Sequence, residues 1–176
     1  MEPLFRPSSA VADTRPGTAI DRERIRTLIP HAGSMCLLDK VLDFDAGSIR
    51  CETRSHLAPG NPLRHNGRLS SLCGIEYAAQ AMAVHGALKQ LGAGDRSTGP
   101  GVPGEEQKAA PLKARHGYLA SVRDTRCASR YLDQHDGPLV VAAELLLDED
   151  SRVIYAFTVS AGDLTLLSGR AAVVLG

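Results

Sequence analysis

Gly74-Ile75-Glu76-Tyr77-Ala78-Ala79-Gln80-Ala81-Met82-Ala83 is a run of small and apolar residues interrupted by one carboxylate and one amide. The pattern continues to about Leu91 and reads polar only at Glu76, Gln80, His85 and the Lys89-Gln90 end. A helix resting on a sheet at the surface keeps a full polar face. One that is small and apolar nearly all round is approached closely from several sides, so this helix is expected to be enclosed by other structure. Ser70 or Ser71 is a suitable N-cap for it. Upstream stands a turn, His56-Leu57-Ala58-Pro59-Gly60-Asn61-Pro62, with a histidine at its mouth. A carboxylate at the start of an enclosed apolar helix, near a histidine loop, suggests acid–base chemistry on a small apolar substrate.

On the N-terminal side, Asp21 to Ile29 reads as a short helix with Asp21 as N-cap and Pro30 as its stop. The apolar run Met35 to Val41 reads as a strand and Asp45-Ala46-Gly47 as a turn. In Ser48 to Ser55, Ile49, Cys51 and Thr53 alternate with Arg50, Glu52 and Arg54, which makes a half-buried strand and, with the preceding run, a hairpin. Leu57 to Leu69 is punctuated by proline and glycine and reads as a loop. Gly92 to Ala114, rich in glycine, proline and charge, reads as a long flexible loop. Four strand-like segments follow, Gly117 to Tyr131, Pro138 to Leu147, Arg152 to Ala161 and Leu164 to Leu175, with turns at Asp148-Glu149-Asp150 and Ala161-Gly162-Asp163. There is no internal repeat.

The order is thus strand, strand, long helix, then four strands expected as a meander. An antiparallel sheet and one small-residue helix are best satisfied when the sheet curls round the helix, which is the hot-dog arrangement, an α+β fold. The expectation is a single domain over residues 21–176 behind a flexible tail, residues 1–20. The edge of such a sheet commonly pairs with a second subunit, so a homodimer is the expected minimum.

At 176 residues the chain is long enough to bury a real core. With 20 basic and 20 acidic residues, no global field points to nucleic acid or an anionic membrane. No apolar stretch is long enough to span a bilayer, and Met1 to Gly17 lacks the apolar run of a signal peptide, so a cytoplasmic location is expected. Cys36, Cys51, Cys73 and Cys127 show neither CxxC pairing nor metal-ligand spacing, and they read as reduced thiols with no metal site. Cys73 lies at the helix start, where a thiolate is favoured.

Leu28-Ile29-Pro30-His31-Ala32-Gly33-Ser34-Met35-Cys36-Leu37-Leu38-Asp39-Lys40-Val41 resembles the opening motif of bacterial 3-hydroxyacyl-acyl-carrier-protein dehydratases. His56 to Pro62 resembles their histidine loop, and Glu76 to Ala83 their central helix. The match spans roughly Leu28 to Leu88 and is nearest to the divergent dehydratase-like branch of aryl-polyene and related lipid clusters. There are departures. Leu57 and Ala58 separate His56 from Pro59, and Ser71-Leu72-Cys73-Gly74 stands where the family has Pro-Gly before the helix.

The resemblance implies dehydration of a (3R)-hydroxyacyl thioester on acyl carrier protein to the trans-2-enoyl thioester, without metal or cofactor. His56 is then the base for the carbon next to the carbonyl, since an imidazole titrates near ~6.5. Glu76, desolvated by its helix, is the acid for the departing hydroxide. Gly74 is expected to offer a free N–H, aligned with the helix dipole, to the thioester oxygen. Gln80, one turn on, orients the carboxylate. Tyr77 is a candidate wall of the acyl tunnel. His65 is the reserve base, His31 is read as fixing a turn, His85 as structural, and His116 and His135 as surface residues. Arg64, Arg68, Lys89, Lys108, Lys113 and Arg115 are candidates for docking the acidic carrier protein. Two other readings stay open. One is a hot-dog thioesterase in which Glu76 activates water. The other is a non-catalytic dehydratase-like subunit that binds carrier protein and forms a heterodimer with a dehydratase paralogue, the alternative to the homodimer.

Overall fold

A computed structural model of the chain describes residues 20–95 and 117–176. The first element is helix α1, Arg22–Leu28, capped by Asp21, whose carboxylate accepts from the Arg24 N–H at 2.9 Å. Glu23 in its first turn and Arg26 in its last complement the helix dipole. Ile25 and Ile29 anchor it in the core.

The expected strand from Met35 is corrected. A 3₁₀ turn occupies Gly33–Met35, and strand β1 runs over Lys40–Phe44. Cys36, Leu37 and Leu38 are fully buried outside the sheet. Their apolar character signalled burial, whereas pairing depends on where the backbone groups find partners. Here the partners are side chains. The Leu37 N–H donates to Gln80 Oε1 at 2.9 Å, and its carbonyl accepts from Thr53 Oγ1 at 2.5 Å and Ser55 Oγ at 2.7 Å.

Strand β2, Ser48–Thr53, pairs antiparallel with β1 and turns Ile49, Cys51 and Thr53 inward as their alternation required. Asp45 closes the hairpin, its carboxylate accepting from the N–H groups of Gly47 and Ser48 at 2.7 Å each. After the loop, Ser70 caps a 3₁₀ turn, Ser71–Cys73, that feeds helix α2, Gly74–Asp95. The helix thus outlasts its expected end near Leu91. The remainder of the loop expected to Ala114 lies outside the described residues, as does the tail before Ile20.

The other strands are β3 (Gly117–Cys127), β4 (Leu139–Glu149), β5 (Arg152–Ala161) and β6 (Leu164–Leu175). The sheet is antiparallel throughout, in the order β1-β2-β4-β5-β6-β3. The expected four-strand meander is therefore corrected. Only β4-β5-β6 meander, and β3 crosses to the far edge against β6. Its composition suits that place: Arg123, Asp124 and Arg126 are exposed, and two irregularities interrupt its register. The Leu-Val-Val-Ala-Ala start of β4 suits the interior next to β2.

Helix α2 packs on β2, β4 and β5, burying Tyr77, Ala78, Ala81, Met82 and Val84. Its first residue is a glycine in a close approach to the sheet. A Cβ on Gly74 would stand 2.7 Å from Leu167 Cδ2 and 3.3 Å from Val159 Cγ2. This close approach seats the start of the helix against β5 and β6 and places Glu76 beside the segment that follows α1.

Candidate active site

Glu76 lies in the first turn of α2. Its Oε1 accepts a hydrogen bond from Gln80 Nε2 at 3.0 Å and lies at ion-pair distance, 3.2 Å, from His31 Nε2. Gln80 stands on the same face one turn later, so helical spacing brings its amide to the carboxylate as expected. That amide is itself fixed, with Nε2 donating to the Met35 carbonyl at 2.8 Å and Oε1 accepting from the Leu37 N–H. The apolar enclosure expected of Glu76 is corrected, because its side chain is 34% exposed. Tyr77, Ala78 and Ala81 face inward while Glu76 points to the rim, toward the chain that leaves α1.

His31 was expected only to fix a turn. Instead it is the histidine that meets the carboxylate, placed there by Pro30 at the end of a helix anchored through Ile25 and Ile29. Its Nδ1 is buried without a partner. The distance along the chain from Glu76 hides this pair from a reading of local pattern.

His56 sits on a 3₁₀ turn, Ser55–Leu57, and has no exposed surface. Continued strand parity with Arg50, Glu52 and Arg54 would have turned it to solvent. Strand β2 ends at Thr53, and the turn that follows rotates the imidazole inward. Nε2 lies 2.9 Å from the His135 carbonyl. A carbonyl only accepts, so Nε2 carries the hydrogen. That leaves the lone pair on Nδ1, which is buried with no partner. Burial lowers the His56 pKa, and the charges of Arg54 and Arg64 push the same way against the His135 carbonyl.

His56 and Glu76 are neighbours once removed. The Tyr77 hydroxyl receives Asn61 Nδ2 at 2.8 Å and lies 3.1 Å from Ser55 Oγ. Asn61 Nδ2 also donates to the Ser55 carbonyl at 2.9 Å. This brace ties the histidine turn to the helix, yet each catalytic candidate has its own separate partner. Tyr77, which has no exposed surface, serves as the brace, and burial raises its pKa. The free N–H expected at Gly74 is also corrected: the carbonyls of Ser71 and Leu72 accept it as the 3₁₀ turn closes.

The remaining candidates take structural places. Burial raises the Cys73 pKa, against the thiolate expected there. His65 is exposed in a turn closed against Arg68. His85 is buried as a spacer, with Nε2 donating to the Asp45 carbonyl and Nδ1 on the Tyr155 hydroxyl, both at 2.9 Å. His135, expected at the surface, is half-buried and supplies the carbonyl that His56 uses. Three of the basic docking candidates are engaged. Arg64 binds the carbonyls of His56, Ala58 and Gly67 and joins Arg68 on Asp133, while Lys89 pairs with Asp148. His116, Lys108, Lys113 and Arg115 lie outside the described residues. A cleft of about 560 Å³, lined in part by His135, Pro138, Val140 and Ala161, holds none of the candidate catalytic side chains. Among the described residues no group of three His, Cys, Asp or Glu side chains could hold a metal ion, and no helix is long and apolar enough to cross a membrane.

A family model described as ApeP-like, ApeP dehydratase, matches residues 23–175. Among solved structures, the chain is similar to the dehydratase heterocomplex ApeI:P from Xenorhabdus doucetiae, with 20% identity and a TM-score of 0.65 over 86% of this chain and 90% of that one. It also resembles a putative thioesterase from Silicibacter, with 10% identity and a TM-score of 0.56 over 89% and 92% of the two chains. A hypothetical thioesterase from Streptococcus pneumoniae, solved with coenzyme A, gives 7% identity and a TM-score of 0.50 over 77% and 84%. No curated protein matches the sequence. At these identities the structural likenesses show the fold, a hot-dog sheet round a central helix.

Proposed function

The chain belongs to this ApeP-like dehydratase family, and from that premise we propose that it acts in dehydrating a (3R)-hydroxyacyl thioester carried by acyl carrier protein to the trans-2-enoyl thioester. The pathway we infer is fatty-acid-like or aryl-polyene-like assembly. The observation that carries the reading is the carboxylate of Glu76. It is fixed through one oxygen by His31 and Gln80 and still open at the rim. A group both fixed and reachable is what general acid catalysis requires.

His56 supplies the complementary lone pair. Its Nδ1 removes a proton from C2 of the substrate, the C2–H electron pair becomes the C2=C3 double bond, and the C3–O bond breaks. Glu76 delivers its proton to the departing hydroxide, which leaves as water. The proton on His56 then returns to Glu76 through solvent, so the cycle consumes nothing. A lowered histidine pKa supports this role because it keeps the base neutral and ready. Gln80 orients the acid, while Gly74 and Tyr77 shape the site by packing.

The complete burial of His56 favours a second reading in which the site is completed by a dehydratase partner. The heterocomplex formed by the Xenorhabdus protein supports it. The test is turnover of a 3-hydroxyacyl carrier-protein thioester, followed by mass spectrometry, with the chain alone and with a partner subunit. Loss of water that falls by roughly 10²–10⁴-fold in both Glu76→Gln and His56→Ala bears out the assignment. Activity only with the partner bears out the second reading, and release of free acid identifies a thioesterase instead.

A further inference from the structure

Resting on that reading, we propose that His31 is a positioning residue of the site: with Gln80 it holds Oε1 of Glu76, and so makes Oε2 the oxygen that carries the proton to the departing hydroxide. Two nitrogens converge on Oε1, His31 Nε2 in ion-pair contact at 3.2 Å and Gln80 Nε2 as a hydrogen-bond donor at 3.0 Å. Among the described residues no hydrogen bond reaches Oε2. A carboxyl group carries its hydrogen on one oxygen and accepts through the other. The Gln80 N–H makes Oε1 the accepting oxygen, because a hydrogen placed there would point at it, and the His31 contact keeps that oxygen in place. The acid proton therefore resides on Oε2.

Gln80 alone cannot fix the carboxylate. Its amide is committed at both ends to the Met35 carbonyl and the Leu37 N–H, so it holds a single point about which the Glu76 side chain can still swing. His31 approaches from a different element, on a chain segment set by the buried Ile25 and Ile29 of α1. Contacts from α2 and from the end of α1 hold Oε1 from two directions, which fixes the place of that oxygen. The imidazole acts through Glu76 and needs no contact with substrate.

The experiment measures steady-state dehydration of a 3-hydroxyacyl carrier-protein thioester, by the chain with whichever partner subunit turnover requires, for wild type, His31→Ala, His31→Gln and Glu76→Gln. His31→Ala is expected to lower kcat by roughly 10- to 100-fold with KM moved by less than about threefold, the signature of a displaced acid. His31→Gln places an N–H donor near the position of Nε2 but cannot relay a proton, and is expected to recover kcat to within about threefold of wild type. Melting temperatures unchanged within about 3 °C separate positioning from loss of fold. Should His31→Ala melt early, His31→Leu, which fills the space, replaces it.

Wild-type kcat in the variant lacking the donor overturns the proposal. So does a His31→Gln variant that folds and is as slow as His31→Ala, since that makes the imidazole a proton carrier. Wild-type turnover in Glu76→Gln instead sinks the underlying assignment of the acid, and the two failures are thereby told apart.

Discussion

His56 and His85 share a design: each imidazole is without exposed surface, and each donates through Nε2 to a backbone carbonyl, His135 in one case and Asp45 in the other. Burial lowers both pKa values below the ordinary 6.5. Between the folded and unfolded values the unfolded chain binds more protons, so stability rises with pH there. The contribution is whole above the unfolded value and is lost as pH falls through the folded ones. The urea midpoint should therefore drop when pH is lowered from about 7.5 to about 5, and His85→Gln should drop less over the same interval. An unchanged slope in that variant would assign the acid sensitivity elsewhere. At this scale the sequence identified the residue types that matter, with Glu76 and Gln80 read together from helical spacing. It read His85 rightly as structural but missed the places of His31 and His135, because their partners lie on other elements. The His31–Glu76 pair and the His56–His135 bond are set by tertiary packing, which no local period encodes.

At the scale of elements, the enclosed helix was legible because Gly74, Ala78 and Ala81 are small for a reason that packing makes visible. Gly74→Ala would drive a Cβ to 2.7 Å from Leu167 Cδ2, in a core where Leu167 has no exposed surface. Overpacking of this kind costs about 1–3 kcal/mol, and a chemical denaturation midpoint lowered accordingly at unchanged m-value is the expected result. A variant of wild-type stability would show that the helix start can retreat from β5 and β6. The alternation of Ile49, Cys51 and Thr53 likewise disclosed β2. The run at Met35 misled because an apolar segment registers burial alone. Side-chain amides and hydroxyls satisfy the backbone of Leu37 as well as a neighbouring strand would.

For the whole molecule, the two edges of the sheet differ. β1 is short and carries charge pairs, Lys40 with Glu52 and Asp43 with Arg50, which blunt edge-to-edge pairing. β3 is longer, and in its first half Tyr118 is 66% and Leu119 43% exposed. Association of a second subunit is accordingly expected at β3. Tyr118→Asp combined with Leu119→Asp should shift the molar mass measured by light scattering toward that of one chain, and an unmoved mass would place the contact elsewhere. The fold class was readable from the order of elements, but the place of β3 was not: nothing local in Gly117 to Cys127 says that its neighbour is the last strand and not the next. A related consequence follows for the segment after α1. The bonds that hold Leu37 come from Thr53, Ser55 and Gln80, so that segment is held by the hairpin and by α2 together. His31 belongs to the same stretch. The aim of the carboxylate is thus a joint product of α1, the hairpin and α2, and a disturbance in any of the three reaches the site.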